Sequence, residues 1–168
     1  RNLGIAFYKT GTFDEAEREF RRVAELRPAE ANAAFFLGLI ALRQARWGDA
    51  VASFRGAVEQ AGARPAALHN LALALERMGR LTEAEAAGAE AVARARDDAR
   101  PLLLWGVVAL KRDDPEVAEG RLAKARELFG ARPVPPLWFW AAALAAGSAG
   151  DMARGVAIAQ EGVAAWPH

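Results

Sequence analysis

A large residue followed by a small one returns along this chain at one fixed interval: Leu3-Gly4, Leu37-Gly38, Leu71-Ala72 and Trp105-Gly106 are evenly spaced. An alanine keeps the same interval at Ala16, Ala50, Ala84 and Ala118. A period of about 34 residues, with bulky and small positions locked in phase, constrains the fold strongly. Each unit is expected to be a helix-turn-helix whose apolar face stays uncovered until a neighbouring unit stacks on it. The function of such an array lies in the surface it presents.

Local signals agree with helices. Thr12 with Glu15 and Thr82 with Glu85 read as capping boxes, in which the hydroxyl accepts from an early helical N–H and the glutamate reaches back to the cap. The second helices of two units are expected to start there. Asp114-Pro115 places an N-cap before a proline at the first helical position, and Asp151 opens the last helix in the same way. Pro28, Pro65, Pro101, the prolines from Pro133 to Pro136, and Pro167 mark junctions between units, because a proline inside a helix removes a hydrogen bond. No stretch alternates with the period of a strand. The expected class is all-α.

Composition bounds the partners. The formal net charge is +1, with acids and bases interspersed, so the basic footprint of a nucleic-acid binder is missing and nucleic acid is not expected as a partner. Alanine swells the apolar fraction of 53% and lets helices approach closely. The absence of cysteine excludes disulfides, thiolate nucleophiles and cysteine-based metal sites, but leaves the compartment open. The run from Val134 to Gly150 has no charge, yet prolines at its head and Gly147-Ser148 near its foot make it shorter than the roughly 20 apolar residues of a spanning helix. It reads as a buried helix of the array, and direct membrane insertion is not expected.

Catalytic constellations are missing from the sequence. The two histidines, His69 and His168, have no partners at metal-ligand spacing. Gly147-Ser148-Ala149-Gly150 lacks the strand-to-helix context of a nucleophile elbow, and no glycine-rich loop leads into Lys-Ser/Thr. The glutamates Glu83, Glu85 and Glu90 read as solvated acids of a helix whose first turn favours negative charge. No enzymatic activity, cofactor or metal is expected.

The recurring residues resemble the tetratricopeptide repeat family in its bacterial form. Leu3, Gly4, Phe7, Gly11, Phe13, Ala16, Phe20 and Pro28 fall on its pattern in the first unit, and Leu37, Gly38, Ala41, Trp47, Ala50, Phe54 and Ala57 in the second. Leu68, Leu71, Ala72, Leu75, Gly79, Leu81, Ala84 and Ala91 follow in the third. The fourth keeps Leu102, Trp105, Gly106, Ala118, Leu122 and Ala125, with Asp113 where the turn glycine usually sits. Three extra residues around Arg132 to Val134 then shift the register into a divergent fifth unit, where Gly155 replaces the expected alanine. The resemblance implies one domain over residues 1–168, with approximate repeats 1–30, 31–64, 65–98, 99–132 and 136–168. It also implies a right-handed superhelical solenoid of antiparallel helix pairs.

In that family, ligand peptides lie along the concave face formed by the first helices. Carried over by register, the resemblance implies a groove containing Phe35, His69, Leu103 and Trp140 in one row, Phe36, Asn70 and Leu104 in a second, and Leu39, Leu73 and Val107 in a third. Lys9, Arg43, Arg77 and Lys111 form a row of cations beside it. Some members grip the terminal carboxylates of chaperones. Asn70 and Arg100 match that clamp, but Phe35, Leu39 and Leu104 stand where it needs Lys, Asn and Arg, so a hydrophobic or amphipathic segment is the expected ligand.

Residue 1 falls inside a first helix, and the chain is expected to be a piece of a longer protein. At the other end Val156, Ala159, Val163 and Trp166 fall at apolar spacing on a last helix that nothing follows to cover, so self-association through terminal helices is a further expectation. Three functions stay open: a protein- or peptide-binding scaffold, a recruitment or regulatory module of a larger multidomain enzyme, and an oligomerisation element.

Overall fold

A computed structural model describes residues 2–27, 30–62 and 64–167. Pro28, His168 and the side chain of Asn2 lie outside the described residues. Within them the chain forms ten α-helices and no strand: α1 Asn2–Thr10, α2 Phe13–Leu26, α3 Ala31–Arg43, α4 Trp47–Ala61, α5 Pro65–Arg77, α6 Leu81–Arg94, α7 Ala99–Lys111, α8 Pro115–Phe129, α9 Pro136–Ser148 and α10 Met152–Ala165. The uncharged run contributes only α9, and no helix among the described residues is long and apolar enough to cross a membrane.

The chain divides within α6 into two compact units, Arg1–Glu83 and Ala84–His168. In the first, α1 packs on α2, α2 on α3, α3 on α4 and α4 on α5, and α5 also touches α3. The large/small code explains how these helices come close. An added Cβ on Gly4 would stand 3.1 Å from the Phe20 ring, and one on Gly38 would stand 2.7 Å from the Phe54 ring. Each glycine is therefore the floor on which an aromatic face from the second helix of its unit lies. Phe36 then stacks on Phe20 with ring centroids 4.7 Å apart, and Phe35 meets Phe54 edge-on at 5.8 Å. Ala16, Ala50, Ala84 and Ala118 are all fully buried, as small residues at a helix crossing should be.

In the second unit α7 packs on α8, α8 on α9, α9 on α10, and α7 also reaches α9. Gly106 carries Leu122 as Gly38 carries Phe54, with an added Cβ 2.8 Å from the leucine. The pattern changes at Gly88, which occupies the register position of Phe20, Phe54 and Leu122. There the volume comes from α7: a Cβ on Gly88 would stand 3.0 Å from Trp105. The Trp105 indole N–H donates to Glu85 Oε1 at 2.8 Å, and the Arg121 guanidinium lies 3.7 Å over the ring. Arg121 also donates to both oxygens of Glu85, at 2.9 and 2.6 Å, and to the Trp105 carbonyl. One ion pair thus ties α6, α7 and α8 together.

That network corrects one of the expected capping boxes. Helix α6 starts at Leu81, which leaves Thr82 inside the first turn, and Glu85 turns to Trp105 and Arg121 instead of the cap. The other box also fails to form. The Thr12 hydroxyl donates to the Phe7 carbonyl at 3.2 Å, so it closes the turn between α1 and α2 and makes no side-chain cap. The aspartate caps do form: Asp114 accepts from the Val117 N–H with Pro115 opening α8, and Asp151 accepts from the Arg154 N–H.

The turns inside the units carry a signal of their own. Gly11 and Gly79 adopt φ of 80° and 72°, and the residues at the same register, Ala45 and Asp113, adopt 55° and 62°. The turn demands the left-handed region whichever residue occupies it.

Candidate functional site

Helices α3 and α5 are first helices of successive pairs, and each carries a leucine four positions before an arginine, Leu39 with Arg43 and Leu73 with Arg77. That separation is close to one helical turn, so leucine and arginine share a face on each helix. In the first unit these faces line a cavity of about 490 Å³. Leu39, Arg43, Asn70, Leu73 and Arg77, all expected from the sequence, meet there, and Tyr8, Leu42 and Trp47 join them. Register reasoning did not place those three in the groove. Tyr8 and Leu42 are one period apart, so the same register that gave the arginines contains them. Trp47 opens α4 beside Arg46, which Glu17 and Asp49 hold at 2.7 and 2.8 Å.

The electrostatics of the cavity are one-sided. It has two guanidinium groups, one amide and one phenol in its wall, and no carboxylate among the described residues lines it. Arg77 Nε lies 3.4 Å from Oε2 of the buried Glu76. Among the described residues the Arg43 side chain makes no ion pair or hydrogen bond, although α3 exposes it at its last turn. Asn70 Nδ2 donates to the Ala66 carbonyl at 2.8 Å, which holds the amide against its own helix.

Phe35 and Phe36 line a separate cavity of about 270 Å³ with Asn32, Arg64 and a wall of alanines from α3, α4 and α5. Arg64 Nη1 donates to Asn32 Oδ1 at 3.1 Å, and Asn32 Nδ2 donates to Glu30, so the polar rim is internally satisfied. Both rings are half-buried and partly spent on Phe20 and Phe54. His69 is half-buried on α5.

In the second unit the expected positions part company. Leu103, Leu104 and Val107 are buried, and Leu103 and Val107 belong to the core with Trp138, Phe139 and Ala142 of α9. Leu103 and Val107 have almost no surface to offer a ligand, because α9 packs on α7 and covers that face, and Leu104 is equally buried. Arg100 is exposed but folds onto Asp98, 2.6 Å from Nη2, at the start of its own helix. Lys111 is exposed at the last turn of α7. Trp140 is 53% exposed and shares one face of α9 with the exposed Leu137 and Leu144.

Comparison with known proteins follows the repeat geometry. The family model described as tetratricopeptide repeat matches residues 1–65 and 41–99. The chain belongs to the tetratricopeptide repeat family. Among solved structures, this tetratricopeptide repeat chain is similar in fold to MamA, at 18% identity and a TM-score of 0.85 over 98% of this chain and 88% of that one. A MamA fragment, 41-end, from Desulfovibrio magneticus RS-1 gives 17% identity and a TM-score of 0.88 over 98% and 92%. YrrB, described as a TPR protein with an unusual peptide-binding site, gives 14% identity and a TM-score of 0.82 over 99% and 84%. No curated protein matches the chain in sequence.

Proposed function

We propose that this tetratricopeptide repeat chain is a non-catalytic scaffold that binds a protein or peptide segment along the first helices of its first unit. The observation that carries the reading is the cavity where Leu39 and Leu73 meet Arg43 and Arg77 beside Tyr8 and Trp47. Its size lies in the range of about 300–1,000 Å³ typical of binding pockets, and its wall combines apolar anchors with a few polar groups. The chemistry of that wall suits binding: guanidinium, amide and phenol groups orient a ligand, and among the described residues lining it no base stands beside a nucleophile. The description of YrrB as a TPR protein with a peptide-binding site supports the same class.

A photo-crosslinking amino acid placed at Leu73, and in a second protein at the exposed Glu59 of α4, tests the reading in the cells that make the protein. Adducts at residue 73 that disappear with Leu39→Asp are the expected result. Adducts at residue 59 alone move the binding surface off the groove and refute it.

Assembly of copies through the last helix is a second reading, favoured by α10, where Met152, Val156 and Val163 are 66%, 53% and 69% exposed. Light scattering over a hundredfold range of concentration should then show association that Val163→Glu abolishes. A constant monomer mass across that range removes this reading.

A further inference from the structure

Several arginines of the first unit are already engaged by carboxylates. Arg46 reaches Glu17 on α2 at 2.7 Å, Arg55 reaches Glu83 at 2.5 Å, and Arg80 reaches Glu83 at 2.7 Å. Those side chains are thus committed, the first two between helices and the third at the start of α6. Arg43 has no such carboxylate among the described residues, and Arg77, whose Nε lies 3.4 Å from Oε2 of Glu76, also lines the cavity. Both stand in a cavity whose wall contains no acid among the described residues.

From this we infer that the groove selects acidic-apolar segments, in which a bulky apolar side chain and a carboxylate project from one face of the ligand at the spacing of one helical turn. The inference rests on the groove reading above and names its ligand class. The spacing comes from the helices. Leu39 and Arg43, like Leu73 and Arg77, are four positions apart at about 1.5 Å rise each, which sets anchor and cation about 6 Å apart along the axis. In an extended ligand, residues i and i+2 lie on one side about 6.6 Å apart. In a helical ligand, i and i+4 again lie about 6 Å apart along the axis.

The groups in the wall divide the work. Leu39, Leu42, Leu73 and the Trp47 ring take the apolar side chain, while Arg43 and Arg77 form charge-assisted hydrogen bonds with the carboxylate, which are stronger than neutral ones. Asn70 commits one amide hydrogen to Ala66, and the rest of its amide is uncommitted among the described residues, which suits a ligand's backbone. A basic segment is rejected, since nothing in the wall would neutralise it.

The test is a random dodecapeptide library displayed on phage and selected in parallel on the unaltered protein and on the double variant Arg43→Glu with Arg77→Glu. Both arginines are exposed, and matching circular dichroism and melting curves establish that the variant is folded. The expected result is a pool on the unaltered protein in which an apolar residue precedes or follows Asp or Glu by two or four positions. Its members should bind the double variant at least tenfold more weakly, and the variant should enrich Lys and Arg instead. The distance within the pattern, two or four, tells an extended ligand from a helical one. A pool without acidic bias whose binding is lost with Leu73→Asp overturns the ligand class and leaves the groove standing. A pool indifferent to both Leu73→Asp and charge reversal, or no enrichment at all, overturns both.

Discussion

Replacing Gly38 by alanine separates packing from helix propensity. Gly38 lies inside α3, and an added Cβ would stand 2.7 to 2.8 Å from three atoms of the Phe54 ring. Carbon atoms in contact rest about 3.5–4.0 Å apart, so the methyl must displace either the ring or the helix by about 1 Å. The ring has little room to yield: Phe54 is 0% exposed, with Phe35 edge-on at 5.8 Å. Overpacking of this kind costs about 1–3 kcal/mol. Against it stands a gain of about 1 kcal/mol for alanine over glycine in a helix interior, so Gly38→Ala should lose roughly 0–2 kcal/mol. Gly56 in α4 supplies the control. An added Cβ there meets nothing within 4 Å, so Gly56→Ala keeps the gain without the clash. The two variants should differ by about 1–3 kcal/mol, which at about 2–4 °C per kcal/mol separates their Tm by roughly 2–12 °C, with Gly56→Ala the more stable. Repeat arrays lose cooperativity more readily than compact domains, so the thermal midpoint by circular dichroism should be paired with a urea titration. Equal midpoints, or Gly38→Ala melting above Gly56→Ala, would refute the packing of an aromatic face on a glycine floor.

Ala45→Gly should stabilise by about 0.5–1 kcal/mol, because the left-handed conformation at φ 55° costs an alanine about 1–2 kcal/mol while glycine loses some of that through its freer unfolded chain; an unchanged or lowered melting temperature would contradict it. Burial pushes the Glu85 carboxyl up, but the Arg121 hydrogen bonds and charge, with the Trp105 N–H, outweigh it and hold the group below its ordinary 4.5. A depressed folded pKa contributes stability above the unfolded value and loses it as pH falls through the folded one. Glu85→Gln should therefore be less stable than the unaltered protein near neutral pH, and the gap between their urea midpoints should close as pH falls below about 4.5; a gap independent of pH would mean the ion pair adds nothing. Once a ligand is in hand, Leu73→Ala should weaken it by on the order of 1–3 kcal/mol at any salt concentration, whereas Arg43→Ala with Arg77→Ala should weaken it chiefly at low salt. Calorimetric titration at two ionic strengths distinguishes them, and identical salt dependence for both variants would mean the arginines do not meet the ligand's charge.

The period made the helix pairs legible, because a large-small alternation sustained at that interval over four units has few other physical solutions. The left-handed turn was only half legible. Gly11 and Gly79 announce it, but Ala45 and Asp113 adopt it unannounced, the alanine against its own preference. The two capping boxes misled for a related reason. A hydroxyl followed by a glutamate at the right spacing gives an interaction available within one turn, whereas the Phe7 carbonyl and the Arg121 guanidinium are partners that only packing supplies. Groove positions carried over by register suffer most. Leu73 and Val107 are equivalent in sequence, yet Leu73 lines a cavity while Val107 is sealed by α9, since exposure depends on local packing and not on the position's number.

Gly88 points to what the repeat actually encodes. Its register position is aromatic in the first two units and leucine in the fourth, so a glycine there would leave a cavity large enough to cost several kcal/mol if the code operated position by position. Trp105, the largest residue at the Leu3, Leu37 and Leu71 position, fills the space from the neighbouring helix. An indole half-buried in this way is best placed with a partner for its N–H. Glu85 accepts it, a carboxylate in that place needs a cation, and Arg121 supplies one while stacking on the ring. One exchange of small for large thus accounts for two polar side chains, Glu85 and Arg121, that the repeat pattern alone does not call for. The constraint acts on the volume and polarity of each helix crossing as a sum, and individual positions are free to trade within it.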